Sequence, residues 1–231
     1  MTEINHEIKE ALLKGGASLV GFADLSEIPE EERDSYHFGI SIATALNPEI
    51  IKGIAEGPTQ EYFDEYMRAN HLLDSLDELA ASILRSHGYE AVARVRASVH
   101  TDVETQTTRL PHKTVATRAG LGWIGKCALL ITPQYGSAVR LSTVLTNAPL
   151  ATDTPVNESR CADCMICCDV CPSQAPTGEN WRVGMPRDCY YNYKACHHIA
   201  AERSRANNLP EDVCGLCILA CPWTQKYLRA K

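Results

Sequence analysis

Ile4, Ile8, Ala11 and Leu12 recur at helical spacing, and Gly15-Gly16 ends the helix they predict. Two short apolar runs, Leu19–Phe22 and Gly39–Ala43, read as buried strands. The longest helical pattern runs from Gln60 to His87. Tyr62, Tyr66, Ala69, Leu73, Leu76, Ala80, Ile83 and Leu84 form one apolar stripe there, and Gly88 is the expected C-terminal cap. The tyrosines of that stripe read as core packing. Further strands are expected within Ala91–Val99, Ala128–Thr132 and Ala138–Thr146. Helices and strands mix without regular βαβ spacing, so the fold class expected is α+β.

This pattern breaks near residue 155, in Ala151-Thr152-Asp153-Thr154-Pro155, because ten of the eleven cysteines follow residue 160. A chain of 231 residues accommodates one compact domain, 1–155, and a smaller cysteine-rich module, 156–231. The net charge of -7 speaks against a broad phosphate-binding surface, so a nucleic-acid partner is not expected. No run approaches the ~18 apolar residues of a membrane span, so no membrane partner is expected. The polar start Met-Thr-Glu-Ile-Asn-His-Glu lacks a signal peptide's features, and the cytoplasm is the expected compartment. In a reducing compartment cysteines serve as metal ligands sooner than as disulfides.

Cys161-x2-Cys164-x2-Cys167-x3-Cys171-Pro172 is the bacterial ferredoxin run. Such a run gives three thiolates to one [4Fe–4S] cluster and sends its fourth cysteine to another. The complementary half is Cys214-x2-Cys217-x3-Cys221-Pro222. In the crossed arrangement Cys161, Cys164, Cys167 and Cys221 hold one cluster, while Cys171, Cys214 and Cys217 hold the second. The last ligand is Cys189 or Cys196, with Cys196 preferred because it is nearer to Cys214 in sequence and sits beside His197-His198 in an expected helix. Structural zinc also uses paired C-x2-C elements, but has no need of the third cysteine, the x3 gap and the proline. Cys127, Cys168 and Cys189 are then left over, with Cys127 read as small buried packing. Trp181, Arg182, Gly184 and Arg187 read as a cover over the clusters, and Arg140 as a solvated or paired charge.

Ala119-Gly120-Leu121-Gly122-Trp123-Ile124-Gly125-Lys126 does not fit the dinucleotide fingerprint. Its glycines imply either close approach of a ligand or a tight loop packed under Trp123. This segment, followed by Leu129-Leu130-Ile131 and Tyr135-Gly136-Ser137, resembles the epoxyqueuosine reductases, relatives of the reductive dehalogenases. The double cysteine set and Cys221-Pro222-Trp223 follow in the same order. The resemblance implies a nitroreductase-like cobalamin-binding domain joined to a ferredoxin-like module with two [4Fe–4S] clusters. It implies an anaerobic reductase passing electrons through the clusters to a corrinoid, with Gly120, Leu121, Gly122, Trp123, Gly125 and Lys126 at the cofactor. Its donor would be a ferredoxin or flavodoxin, and its substrate a small or protein-bound molecule. Short relatives also place a cysteine at the position of Cys196.

The chain departs from the family pattern in two places. Where the reductases carry a proposed proton-donating aspartate, thirteen residues before Ala119, this chain has Gln106. Asp102 and Glu104 are close in sequence, and His112 is the replacement donor expected here, since imidazole titrates near neutral pH. The chain also stops at Lys231, without the helical repeats that help many relatives hold transfer RNA. A non-enzymatic electron carrier and a flavin reductase are the rival expectations.

Overall fold

The protein was described from a computed structural model, which covers residues 2–102 and 104–230. In chain order its first elements are α1 (Glu3–Lys14), β1 (Leu19–Asp24), β2 (Phe38–Ala45), α2 (Pro48–Lys52), α3 (Gln60–Ser86) and β3 (Ala91–Ala93). Then come α4 (His112–Arg118), β4 (Trp123–Ile124), β5 (Leu130–Ile131) and β6 (Val139–Thr146). The cysteine-rich end holds α5 (Ile166–Asp169), α6 (Arg187–Tyr190), α7 (Tyr193–Ala206), α8 (Leu216–Ala220) and α9 (Pro222–Arg229). The chain divides into two compact units. One comprises residues 1–45, 69–121 and 140–156, the other 46–68, 122–139 and 157–231.

The first unit is built on a sheet of order β1-β2-β6-β3, with β1 antiparallel to β2 and β3 antiparallel to β6. Side chains alternate between sheet faces. Val20, Phe22, Ile40, Ile42 and Val144 therefore join Ile8 and Leu12 of α1 and Leu73, Leu76, Ala80 and Leu84 of α3 in one core. Ala23 and Leu145 turn the other way, to Leu110, Val115 and Ala119. Here α4 comes so close that a Cβ on Gly21 would stand 2.6 Å from the Ala119 carbonyl oxygen. Cover on both faces explains why β1 and β2 are almost continuously apolar.

Local chemistry sets the ends of these elements. Thr2 caps α1, accepting from the Asn5 N–H, and Gly16 continues from the helix at φ +107. Gly88, at φ +83, caps α3. The strand expected across Ala91–Val99 stops at Ala93, because the chain turns into a short 3-10 helix, Arg96–Ser98. There the Arg96 N–H donates to Asp74 Oδ1 (2.9 Å) instead of to a strand. The strand expected across Ala128–Thr132 narrows to Leu130–Ile131, since Ala128 takes a left-handed turn conformation at φ 59.

One buried charge site in this unit has a pH consequence. Asp77 of α3 is fully buried, with Ser142, Asp74 and Glu78 as its polar neighbours. Burial, reinforced by Asp74 and Glu78, pushes its carboxyl up to about 8, with Ser142 opposing the shift. A folded-state value above the unfolded one, 3.8, gives stability that is full below pH 3.8 and lost as pH rises through about 8. Asp77→Asn removes that loss. Urea midpoints across pH 5 to 9 are expected to show the variant gaining on wild type by up to about 1.4 kcal/mol per pH unit. Parallel curves would refute the assignment.

The second unit is knitted together by backbone approaches that only glycine permits. In the β4–β5 hairpin Trp123 pairs with Ile131 and Ile124 with Leu130. The turn after β5 is closed by reciprocal bonds between Thr132 and Gly136, both 2.9 Å. Gly136 (φ +59) lies so near α9 that a Cβ would stand 2.2 Å from the Thr224 nitrogen. Beside it the Ser137 N–H donates to Thr224 Oγ1 (3.1 Å). Trp123 meets Trp223 edge-on at 5.1 Å, as Tyr135 meets Tyr227. The Tyr227 hydroxyl donates to the Leu46 carbonyl (2.9 Å), and Gly215 faces Ile54 and Tyr62. No helix among the described residues is long and apolar enough to cross a membrane.

Candidate metal centre

All eleven cysteines are free thiols. The first run is wound in tight turns, with the Cys164 N–H donating to the Cys161 carbonyl (3.0 Å) and the Cys168 N–H to Met165 (2.8 Å). Cys171 follows, its N–H donating to the Cys168 carbonyl (3.3 Å). Tight winding turns successive thiols inward at short intervals. The second half comes from α8, which carries Cys217, and from the α8–α9 junction, where Cys221 is the N-cap. Gly215 (φ 82) starts α8 between Cys214 and Cys217 in the left-handed conformation that admits this turn.

The thiols fall into two neighbourhoods. Burial raises the Cys221 thiol, and Cys161 adds to the effect. Cys167 is raised by its contact with Cys127, by burial and by Cys161. Elsewhere burial raises the Cys196 thiol and the nearby Cys171 and Cys214 raise it further, while Tyr191 lowers it. Tyr191 is itself raised by burial, then by Cys196 and Cys217. Cys161 thus stands near Cys167 and Cys221, and Cys196 near Cys171 and Cys214. Cys164 lies within the first run, half-buried like Cys161 and Cys167. Cys189 is exposed at the start of this stretch, on α6. Cys168 is raised to about 11, first by burial and then by Cys167, with Lys126 opposing.

Iron–sulfur cubes take four thiolates each, and the cysteines after residue 160 are the thiols that would supply them. Among the described residues no three His, Cys, Asp or Glu side chains converge as ligands of a single ion. A cube holds each thiolate on a different iron and so needs a wider spread than a tetrahedral zinc site. Around the thiols, Trp181 packs with Tyr190 and with Ile124 and Ala128 of the hairpin. Arg187 stacks over the Tyr193 ring at 4.0 Å. The Arg182 and Glu158 backbones pair in an isolated antiparallel β-bridge, and Gly184 (φ 78) faces open space. In the first unit Arg140 donates to Asn70 Oδ1 (3.1 Å).

The glycine segment is filled by the chain itself. In the first unit Gly120 (φ +66) has the Thr154 carbonyl 2.8 Å from its Cβ direction, and Leu121 packs against the α4 core. In the second, a Cβ on Gly122 would stand 2.0 Å from the Ile131 oxygen, and one on Gly125 2.8 Å from the Ile131 side chain. Trp123 is fully buried. Lys126 is 3% exposed, and its ammonium reaches the Met165 sulfur (3.5 Å). The glycines answer close approaches within the protein.

The candidate proton donors are in the first unit. His112 Nδ1 lies 2.9 Å from Thr143 Oγ1. Burial, then the charges of Arg94 and Arg140, lowers its imidazole to about 4, so the ring is neutral at pH 7. Asp102 accepts from the Thr105 and Glu104 N–H groups and the Thr105 hydroxyl. Those bonds, from Thr105 foremost, lower its carboxyl and keep it ionised. Gln106 sits at φ 51 in the same turn. A cleft of ≈ 490 Å³ opens here, lined by Asp34, Arg94, His100, Asp102 and Arg109 among others. Sequence reasoning missed Arg94 and Arg109, which carry no motif and meet only through the fold.

No protein-family model matches the chain. An epoxyqueuosine reductase of Atelocyanobacterium thalassa is 30% identical over 139 residues, covering 56% of this chain and 42% of that protein. The chain therefore spans less than half of that relative's length. Among solved structures, a reductive dehalogenase described as suggesting a mechanism for B12-dependent dehalogenation superposes with a TM-score of 0.70 at 20% identity. That match covers 95% of this chain and 32% of the other. An epoxyqueuosine reductase solved with a modified tRNA-Tyr stem loop gives 0.61 at 21% identity, over 96% of this chain and 66% of the other.

Proposed function

We propose that this chain, similar to epoxyqueuosine reductases, is an iron–sulfur reductase holding two [4Fe–4S] clusters. One cluster takes Cys161, Cys164, Cys167 and Cys221, the other Cys171, Cys196, Cys214 and Cys217. The observation that carries this reading is the sorting of the thiols into two neighbourhoods, with Cys196 beside Cys171 and Cys214. Burial of Cys196 beside Tyr191 would limit water at that sulfur, which bears on reduction potential.

A corrinoid would supply the bond-breaking chemistry at the substrate. Gly120, Leu121, Gly122, Trp123, Gly125 and Lys126 are the residues that would lie at it. Electrons would come from a ferredoxin or flavodoxin. The substrate would be a small or protein-bound molecule. A nucleic-acid substrate stands beside these, because a structural neighbour was solved with a tRNA stem loop. The acidic net charge does not remove that option.

A second reading is a carrier that delivers electrons to a corrinoid or metal centre on a partner protein. It is favoured by Gln106 at the acid position, by the neutral imidazole of His112 and by the closed glycine segment.

Anaerobic protein with rebuilt clusters, titrated with cobalamin, separates the two. A bound cobalt(II) paramagnetic signal that disappears on reduction supports the reductase, and iron–sulfur signals alone support the carrier. A bound flavin spectrum would overturn both. His112→Ala is expected to leave turnover unchanged, because a ring that is neutral at pH 7 has no acidic proton to give. A loss of turnover with a matching shift of the pH profile would restore it as the acid.

A further inference from the structure

One guanidinium of the first unit is left over by the bonds around it. Arg94 follows β3, and its N–H donates to the Thr143 carbonyl (3.0 Å), so pairing with β6 holds its backbone on the sheet. Its side chain lines the ≈ 490 Å³ cleft, yet Nη1 is buried and has no hydrogen-bond partner among the described residues. An arginine stays charged at neutral pH, and a buried charge is ordinarily paired or hydrogen-bonded.

Other charges of the same lining are already committed. Asp34 pairs with Arg109 (2.5 Å), which also donates to the Glu31 carbonyl. Asp102 Oδ1 accepts from the Glu104 N–H (3.1 Å), the Thr105 N–H (2.7 Å) and the Thr105 hydroxyl (2.7 Å). The Asp102 N–H in turn donates to the Thr107 carbonyl (2.8 Å), which fixes that wall of the cleft. Arg94 is thus the cation of the lining with a buried donor unused.

The volume is that of a site for a small organic molecule. Ser98, Thr107 and Thr108 add hydroxyls to the lining and His100 an imidazole. Glu32, Asp34 and Asp102 make its charge mixed, so a doubly charged phosphate meets more repulsion there than a single carboxylate does. A carboxylate also matches the planar fork of a guanidinium.

We propose that this cleft is a binding site for a small organic acid, whose carboxylate Arg94 receives. All of its lining lies in the first unit. As the site of a substrate it rests on the reductase reading; as a binding site it stands apart from the clusters.

Calorimetric titration of the full chain at pH 8 with phenylacetate, phenylacetamide and phenylphosphonate tests the proposal. Phenylacetate is expected to bind saturably, and the amide, of the same shape but uncharged, about tenfold or more weaker. Arg94→Gln is expected to weaken phenylacetate by about tenfold or more, and Arg94→Lys, which keeps the charge without the fork, by less. Lys14→Gln, on the exposed last turn of α1, is expected to leave the affinity within about twofold of wild type. If Arg94→Gln folds poorly, the comparison of acid and amide on wild-type protein still decides. Equal affinity for acid and amide, no binding of phenylacetate, or wild-type affinity in a folded Arg94→Gln variant would overturn the proposal. So would tighter binding of the phosphonate, which would assign the cleft to phosphate-bearing ligands. Acid binding that survives in protein taking up no iron and sulfide would support the site and overturn the cluster reading alone.

Discussion

Cys196→Ser is expected to lose about half of the iron and acid-labile sulfide of the rebuilt protein, while Cys189→Ser loses none. The two cysteines lie seven positions apart, and sequence spacing alone leaves both open as the last ligand. Their surroundings differ. Cys189 is exposed on α6, and its carbonyl accepts from the Thr177 hydroxyl (3.2 Å). Cys196 stands on α7 with its thiol among Cys171, Cys214 and Tyr191. The N-cap of α7, where Asn192 accepts from the Ala195 N–H (3.1 Å), fixes the turn that carries it. A cube missing one thiolate is open to solvent and to loss of iron, so serine at 196 should cost the second cluster. Equal iron in both variants, or loss at 189 alone, would reverse the assignment.

Gly122→Ala is expected to cost about 3 kcal/mol or more of stability. The new Cβ would stand 2.0 Å from the Ile131 carbonyl oxygen and 2.9 Å from its carbon, so the obstacle is backbone of the paired strand and cannot swing aside. Relief requires the β4–β5 pairing to open, and the buried tip would leave the cysteines with it. Iron content should therefore fall together with the urea midpoint. Gly184→Ala is the matched control. Its Cβ meets nothing within 4 Å, so only the left-handed strain of φ 78 remains, about 1 kcal/mol. Equal midpoints for the two variants would show that the Gly122 contact carries no weight.

The local signals in the sequence were read correctly where one contact layer decides the structure. The stripes of α1 and α3, the apolar β1 and β2, and the capping glycines Gly16 and Gly88 all have their causes within a few residues. Where the cause lies far along the chain, the pattern is silent. The composition changes near residue 155, where cysteines become frequent. Nothing local, however, assigns 46–68 and 122–139 to the second unit. Their place there depends on Gly215 meeting Ile54 and Tyr62, and on Gly136 meeting Thr224.

The candidate site divides in the same way. The cysteine spacing is chemistry written locally, and by itself it leaves Cys189 and Cys196 both open as the last ligand. The glycine segment left ligand approach and a tight packed loop both open, because a glycine's need for close approach does not reveal what approaches. Here it is Thr154 at Gly120 and Ile131 at Gly122 and Gly125. Cys127 read as packing for a related reason. Its burial could be anticipated, but its thiol neighbours appear only once the hairpin tip has been folded among them.

Iron and acid-labile sulfide, measured per chain on oxygen-free wild-type protein, test the central claim most directly. The account predicts both in equal amounts, at the level of two four-iron cubes. Zinc in their place, or iron without sulfide, would contradict it.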